Sequence, residues 1–437
     1  MKSIGIDIGT TTISVVVMES EHGAVLEAGT VPNDSFVETG RSWEKIQDVQ
    51  KIVCRARGLL DGLLERHPDC ASIGLTGQMH GIVYLNCAGS AVSPLYTWQD
   101  GRGNLPEFDG KTLVQVIKEA SGIESYTGYG LVTHLYHVKK GLVPEDAVTF
   151  CTIADYLGMV LTGRRTPVVH ASNAASFGFF DVELGCFKMA EMECLGMDTE
   201  LLPTVTGTVD SLGQYRGIPV TVAIGDNQAS FLGAAGDREH VVLLNMGTGG
   251  QISVLSSEYL EVPGIEARPF LNGTYLLVGA SLCGGRAYAI LERFFRGYMK
   301  IAMDGEMVFD QYDVMEKLAV LGREEKDRMT VTTTFGGTRI DPDQRGSISG
   351  ISEGNFTPEG MVYGVLYGMA KELHEFYREM DRWSHIPVEQ LIGSGNGLRK
   401  NKVLREIFEE MFGVGLTLSS YDEEAACGAA ISSTMNR

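Results

Sequence analysis

Two aspartates in this 437-residue chain stand where an apolar run hands over to a turn, and each is followed by residues suited to handling charge. Asp7 lies in Gly5-Ile6-Asp7-Ile8-Gly9-Thr10-Thr11-Thr12. Backbone N–H groups and hydroxyls crowd at such a tip, which suits Gly9, Thr10, Thr11 and Thr12 to phosphate oxygens. The Asp7 carboxylate can hold a magnesium ion or its waters. Asp226 lies in Gly225-Asp226-Asn227-Gln228, after the apolar run 220–224. A lone aspartate at a strand end, next to a glycine and opening a helix, is placed to act as a general base, and a helix start favours an anion nearby. An N-cap is the plainer reading of Asp226, but a cap does not account for the asparagine and glutamine behind it.

The pattern around Asp7 returns far along the chain. Leu244-Asn245-Met246-Gly247-Thr248-Gly249-Gly250-Gln251-Ile252-Ser253-Val254 repeats 6–15 with one inserted residue. A single supersecondary unit repeated at so long a period points to two related domains and not to a solenoid. Two such hairpins can clamp the two ends of a triphosphate. Between them, Thr97-Trp98-Gln99-Asp100-Gly101-Arg102 gathers an aromatic plate, an amide, a carboxylate and a guanidinium beside a glycine turn. A sugar site needs that mixture, and a surface turn with a half-buried tryptophan accounts for it equally well. Gly393-Ser394-Gly395-Asn396-Gly397 is a glycine-rich loop between an expected strand and an expected helix, where a nucleoside can lie against backbone.

The elements that carry these residues follow from periodicity. Segments 3–8 and 13–18 read as a strand pair, and 24–31 as a third strand. Ser42 is expected to cap a helix whose apolar positions are Trp43, Ile46, Val49, Ile52, Val53, Ala56, Leu59, Leu60 and Leu63. Segment 72–75 reads as a strand that delivers Thr76-Gly77-Gln78-Met79-His80-Gly81 to a loop, and 177–182 as another strand. His134 and His137, three apart and with no third ligand in view, read as a helix-face pair rather than a metal site. Thr357-Pro358-Glu359 opens an amphipathic helix, and 423–432 is an alanine-rich helix able to pack closely.

Composition bounds the partners. The length suits two or three domains. A formal net charge of −20 argues against nucleic acid or an anionic membrane as a partner. The eight cysteines lack metal-like spacing and read as reduced thiols. With no run of the length that spans a membrane, and Asp7 inside the only apolar run at the N-terminus, the expectation is a cytoplasmic protein.

Taken together, these residues resemble the FGGY family of carbohydrate kinases along the whole chain, and within it most closely the sedoheptulokinase branch. The resemblance implies an α/β, two-domain actin/hexokinase/Hsp70-like (ribonuclease H-like) fold with a central interdomain cleft. It divides the chain into 1–236, with the sugar site and the base, and 237–437, with the ATP site. Asp226 falls on the family's catalytic base. Residues 7–12 and 247–250 fall on its two phosphate loops, and 393–397 with Asn401 on its adenosine loop. Gly77-Gln78-Met79-His80-Gly81 is similar to the sugar loop of xylulokinases, and the Trp98 segment to the next sugar loop of sedoheptulokinases. The implied ATP-binding residues are Gly9, Thr10, Thr11, Thr12, Gly247, Thr248, Gly249, Gly284, Gly393, Ser394, Gly395, Asn396 and Asn401. The implied sugar contacts are Gln78, Met79, His80, Trp98, Asp100, Arg102 and Asn227, with Asp7 on magnesium. Gly337-Thr338-Arg339 departs from the family's usual Gly-Glu-Arg. The expected reaction is ATP-dependent phosphorylation of a terminal ketose hydroxyl, sedoheptulose first, with xylulose, ribulose or another polyol as alternatives. An actin-like ATPase and a non-catalytic sugar sensor are the readings from other classes. A small-molecule sugar is the expected partner, and a homodimer is allowed.

Overall fold

The computed structural model describes residues 1–19, 23–305, 309–338, 341 and 343–435; Arg339 lies outside them. The chain divides into two compact units. The first begins with Met1–Gly236, and the second with Asp237–Ala267. Two later stretches, Arg268–Thr274 and the described chain from Tyr421 on, belong to the first unit and not to the second.

The first unit is built on a mixed sheet. Its strands run, in spatial order, Ser211–Tyr215, Ile218–Thr221, Cys70–Gly77, Lys2–Ile8, Thr12–Glu19 and Ala24–Pro32, and Ile224–Gly225 also pairs with Cys70–Gly77. Both faces of Lys2–Ile8 and Thr12–Glu19 are covered, so nearly every interior residue of the two strands is buried, the small Ser3, Gly5 and Ser14 included. The first covering helix is Val49–Arg66, which buries Ile52, Val53, Ala56, Leu60 and Leu63 at helical spacing. It starts later than expected. Asp48, not Ser42, is the cap, accepting from Lys51 N at 3.0 Å, because Ile46–Gln47 is taken into a short strand with Leu95–Tyr96. The strand expected at 177–182 shrinks to Phe180–Asp181.

The second unit repeats the centre of this arrangement. Its sheet runs Tyr275–Ser281, Gly250–Ser256, Val241–Met246, Gln390–Ser394 and Leu416–Leu418. Each unit therefore has a hairpin with an antiparallel strand on one side and a parallel strand on the other. The register corrects the expected insertion. Ile8 pairs with Ile13 around turn residues 9–12, whereas Met246 pairs with Gly250 around 247–249, so the second turn is one residue shorter. Ile252 consequently sits opposite Leu244, as Val15 sits opposite Ile6. Helix Pro358–Ser384, capped by Thr357 and started by proline, packs Val365, Met369 and Leu373 into this unit's core.

The last helix, Glu424–Ser432, explains the alanine-rich end of the sequence. It lies against the hairpin strands, Cys70–Gly77 and helix Asp226–Ala235 with backbone touching backbone. A Cβ at Gly5 would fall 1.8 Å from Ala426 O, at Gly74 1.8 Å from Ala429 O, and at Gly428 1.8 Å from Ala229 O. Such contacts exclude any side chain larger than hydrogen. Gly74→Val should therefore cost about 3 kcal/mol or more, or abolish soluble expression. Gly58, exposed in the middle of Val49–Arg66 with nothing within 4 Å, behaves oppositely. Gly58→Ala should raise stability by about 0.5–1 kcal/mol, and thermal unfolding of the two variants checks both signs.

Candidate active site

Three neighbouring parallel strands of the first unit end at one edge. Ile8 pairs with Gly77, and Gly77 with Gly225. Asp7 thus comes one residue before the end of its strand, and Gln78 and Asp226 one residue past the ends of theirs. The carboxyl ends of parallel strands are where open α/β sheets bind ligands. Asp226 is the first residue of helix Asp226–Ala235, with Gly225 at the cap position, so its carboxylate stands at the positive helix end without itself serving as the cap.

Burial governs both carboxyls. Asp7 is pushed up to about 7, first by burial and then by the Asp226 and Glu423 carboxylates. Its Oδ1 is buried without a hydrogen-bond partner, as is Oδ1 of Asn227. Burial pushes Asp226 up to about 6, opposed by the Asn227 backbone N–H and then by the Arg268 guanidinium. Such a carboxyl is close to the operating range of a general base near neutral pH.

The turn 9–12 is tied from outside through its carbonyls. Asn33 Nδ2 donates to Gly9 O at 2.8 Å, Gln47 Nε2 to Thr10 O at 3.0 Å, and Asn33 N to Thr11 O at 2.8 Å. The Thr11 and Thr12 side chains remain exposed. Trp98 Nε1 donates to Thr10 Oγ1 at 2.9 Å, and 46% of Trp98 is exposed, leaving its ring open to a ligand. His80 stacks on Tyr129 at 4.6 Å and 8°, and its Nδ1 donates to Ser176 O at 2.7 Å.

The structure separates the remaining expected sugar contacts from this surface. Asp100 is fully buried and committed: Oδ1 accepts from Arg102 Nε at 2.6 Å, and Oδ2 from Lys45 N at 3.0 Å. Arg102 is buried with it, 4.5 Å from the Tyr96 ring centroid, and donates to His137 Nε2. Burial, followed by that guanidinium, pushes His137 down to about 3, so its neutral ring passes the hydrogen bond through Nδ1 to Tyr84 Oη at 3.1 Å. Tyr84 Oη in turn donates to His134 Nδ1 at 2.8 Å. Asp100 and Arg102 hold the Trp98 loop from behind, and the two histidines belong to that support. Gln78 is also buried: its amide donates to Gln47 Oε1 at 2.8 Å while its own Oε1 has no partner, and Met79 packs beneath Gly225.

Arg268 escaped the sequence reading because nothing near it looks like a motif. It arrives with a turn docked on the Asp226 helix, where Gln228 Nε2 donates to Pro269 O at 2.9 Å and Phe270 meets Phe231 edge-on at 5.7 Å. There its buried guanidinium faces Asp226 and Tyr129.

The second unit contains a cavity of about 1040 Å³. Gly247, Thr248, Gly395, Asn396 and Asn401 line it, while Gly249, Gly284, Gly393 and Ser394 lie outside its lining. Gly284 backs the turn, since a Cβ there would fall 2.4 Å from Gly249 C. Gly395, at φ +83° and with Met246 O 2.7 Å from where a Cβ would stand, lets the strand Gln390–Ser394 turn sharply into its loop. Arg286, Tyr288, Tyr312 and Lys400 also line the cavity, as do the carboxylates Asp310, Asp313 and Glu316. A turn with a glycine and a threonine, two cations and an aromatic wall fit the phosphates and base of a nucleotide.

No helix among the described residues is long and apolar enough to cross a membrane. Residues 3–243 match the N-terminal domain of the FGGY family of carbohydrate kinases, and residues 242–436 match its C-terminal domain. The sedoheptulokinase of Mus musculus is 28% identical over 98% of this chain and 96% of its own length. Among solved structures, xylulose kinase from Rhodospirillum rubrum superposes with a TM-score of 0.84 at 21% identity, covering 100% of this chain and 90% of that one. Plasmodium falciparum glycerol kinase with ADP gives a TM-score of 0.79 at 18% identity, covering 98% and 88%. With both family domains matched end to end on an actin/hexokinase-like α/β fold, the chain belongs to the FGGY family of carbohydrate kinases and is an ATP-dependent sugar kinase.

Proposed function

We propose that this enzyme transfers the γ-phosphoryl group of ATP to the terminal hydroxyl of a ketose, converting sedoheptulose to sedoheptulose 7-phosphate. The observation that carries the reaction is Asp226, a carboxyl lifted to about 6 at the same sheet edge as Asp7 and faced by Arg268. The choice of sedoheptulose rests on the mouse sedoheptulokinase, similar over nearly the full length of both chains.

In this reading the exposed Trp98 ring takes the C–H face of the sugar, while His80, Tyr129 and Asn227 meet hydroxyls. Asp226 accepts the proton of the attacking hydroxyl as the phosphoryl group passes in line, and the neighbouring Arg268 favours its ionised form. ATP occupies the second unit's cavity, with its phosphates at Gly247 and Thr248 and its nucleoside beside 395–397 and Asn401. Magnesium fits the first unit: Oδ1 of Asp7 is a buried oxygen without a partner, and a hard cation takes such a ligand. Held by Asp7, the ion would neutralise phosphate charge. Eight free cysteines fit a reducing cytoplasm.

ATP turnover against sedoheptulose, D-xylulose, D-ribulose and glycerol tests the substrate. Stimulation by sedoheptulose above the others is expected; a five-carbon preference would move the substrate, and sugar-independent turnover would remove the assignment. Asp226→Asn should lower turnover by roughly two to four orders of magnitude while calorimetry finds sugar binding nearly intact. At saturating magnesium, which keeps Asp7 ionised, wild-type turnover should fall roughly tenfold per unit as pH drops below about 6, since a protonated Asp226 cannot take up the hydroxyl proton. The residual activity of Asp226→Asn should lack that limb. Asp7→Asn should raise the magnesium concentration for half-maximal turnover roughly tenfold or more. An unchanged magnesium titration would take Asp7 out of the metal site.

A further inference from the structure

The short helix Ala171–Ser176 has no part in the chemistry above, yet its buried polar side chains reach two separate parts of the first unit. At its start, Ser172 Oγ accepts from Gly225 N at 2.9 Å. Its own proton goes to His170 Nδ1 at 2.8 Å, a nitrogen that also accepts from Ser172 N at 3.2 Å. Burial pushes His170 down to about 4, so the ring is neutral and its Nδ1 is available as that acceptor. One residue further, Asn173 Nδ2 donates to Ala223 O at 3.2 Å. Both bonds grip the backbone that runs directly into Asp226.

At the other end of the helix, Ser176 holds His80 twice. Ser176 Oγ accepts from His80 N at 3.0 Å and donates to Asn173 O at 2.7 Å, and Ser176 O accepts from His80 Nδ1 at 2.7 Å. His80 is held at φ +72°. A residue other than glycine in that region is strained and persists only where its surroundings over-determine it. The two bonds from Ser176 supply that constraint.

We propose that helix Ala171–Ser176 sets the spacing between Asp226 and His80, with Ser172 and Ser176 as the positioning residues for the base and for the sugar contact. The inference rests on the roles given above to Asp226 and His80, and it predicts that the two serines act on different kinetic constants. Removing the Ser172 hydroxyl frees the segment that aims Asp226, which alters the reacting geometry and not the grip on the sugar. Loss of the Ser176 hydroxyl removes one of the bonds that hold this strained residue, so the sugar loop relaxes before substrate arrives.

The test is steady-state kinetics of the full chain with MgATP and the ketose that supports the highest wild-type turnover, alongside thermal unfolding. Ser172→Ala should lower kcat roughly 10–100-fold and keep the ketose KM within about threefold. Ser176→Ala should raise the ketose KM roughly tenfold or more and keep kcat within about threefold. Both should retain the wild-type KM for ATP. Ser172→Cys and Ser176→Cys, close in volume and weaker in hydrogen bonding, replace an alanine variant that does not fold. Any pattern other than this split, including a lowered Tm with wild-type kinetic constants, overturns the inference. The two levels of failure differ: normal turnover in Asp226→Asn removes the base, whereas an absent split in an enzyme that needs Asp226 removes only the spacing role.

Discussion

Burying ionisable carboxyls beside one another is the constraint around which the first unit is arranged. Asp7 and Asp226 stand at the ends of strands that flank the same central strand, and the Asp226 carboxylate adds to the cost of ionising the buried Asp7. A protein that places two acids there must supply compensation or accept protonation. Compensation comes from three directions: the start of helix Asp226–Ala235, the Asn227 backbone N–H, and the Arg268 guanidinium. The oxygens left without partners, on Asp7 and Asn227, mark where compensation from within the chain stops. That is the character of a site prepared for a cationic or proton-donating ligand.

The scaffold that allows this crowding is unusually close backbone packing. Helix Glu424–Ser432 can lie directly on the strands and on helix Asp226–Ala235 because alanines and glycines face each other across the contact. A larger side chain at Gly5, Gly74 or Gly428 would force the layers apart and move the strand ends that carry the acids. Rigidity at the back of the site therefore comes from small residues, and polarity at the front from side chains on loops. The ion pair of Asp100 with Arg102 extends the same logic to the Trp98 loop: a buried, fully bonded pair fixes a loop whose exposed ring is left to meet the ligand.

Both hairpins show how a duplicated unit diverges in use. Each is flanked in the same way, yet the first turn is one residue longer and has its carbonyls held by Asn33 and Gln47. In the second, Gly284 presses against the turn from behind, and the neighbouring cavity carries both cations and carboxylates.

The sequence by itself determined the strands, the hairpin repeat, the strand-end positions of Asp7 and Asp226, and the helices with strong period and clear caps. These are local properties: periodicity, turn residues and capping act within a few residues of each other. It also placed Trp98, His80 and the glycine loop near 395 among the candidate residues. What only the tertiary structure decided was which polar residues are exposed and which are consumed. Asp100 and Arg102 look in sequence like ligand contacts, but their partners Lys45 and His137 come from other segments and hold them buried. Arg268 reaches Asp226 through a turn docked from a distant part of the chain, and Ser172 and Ser176 gain meaning only when Gly225 and His80 come within hydrogen-bonding distance. Register was likewise beyond local reading. The one-residue difference between the two turns lies in which residues pair across the hairpin, and pairing is set by the sheet on either side.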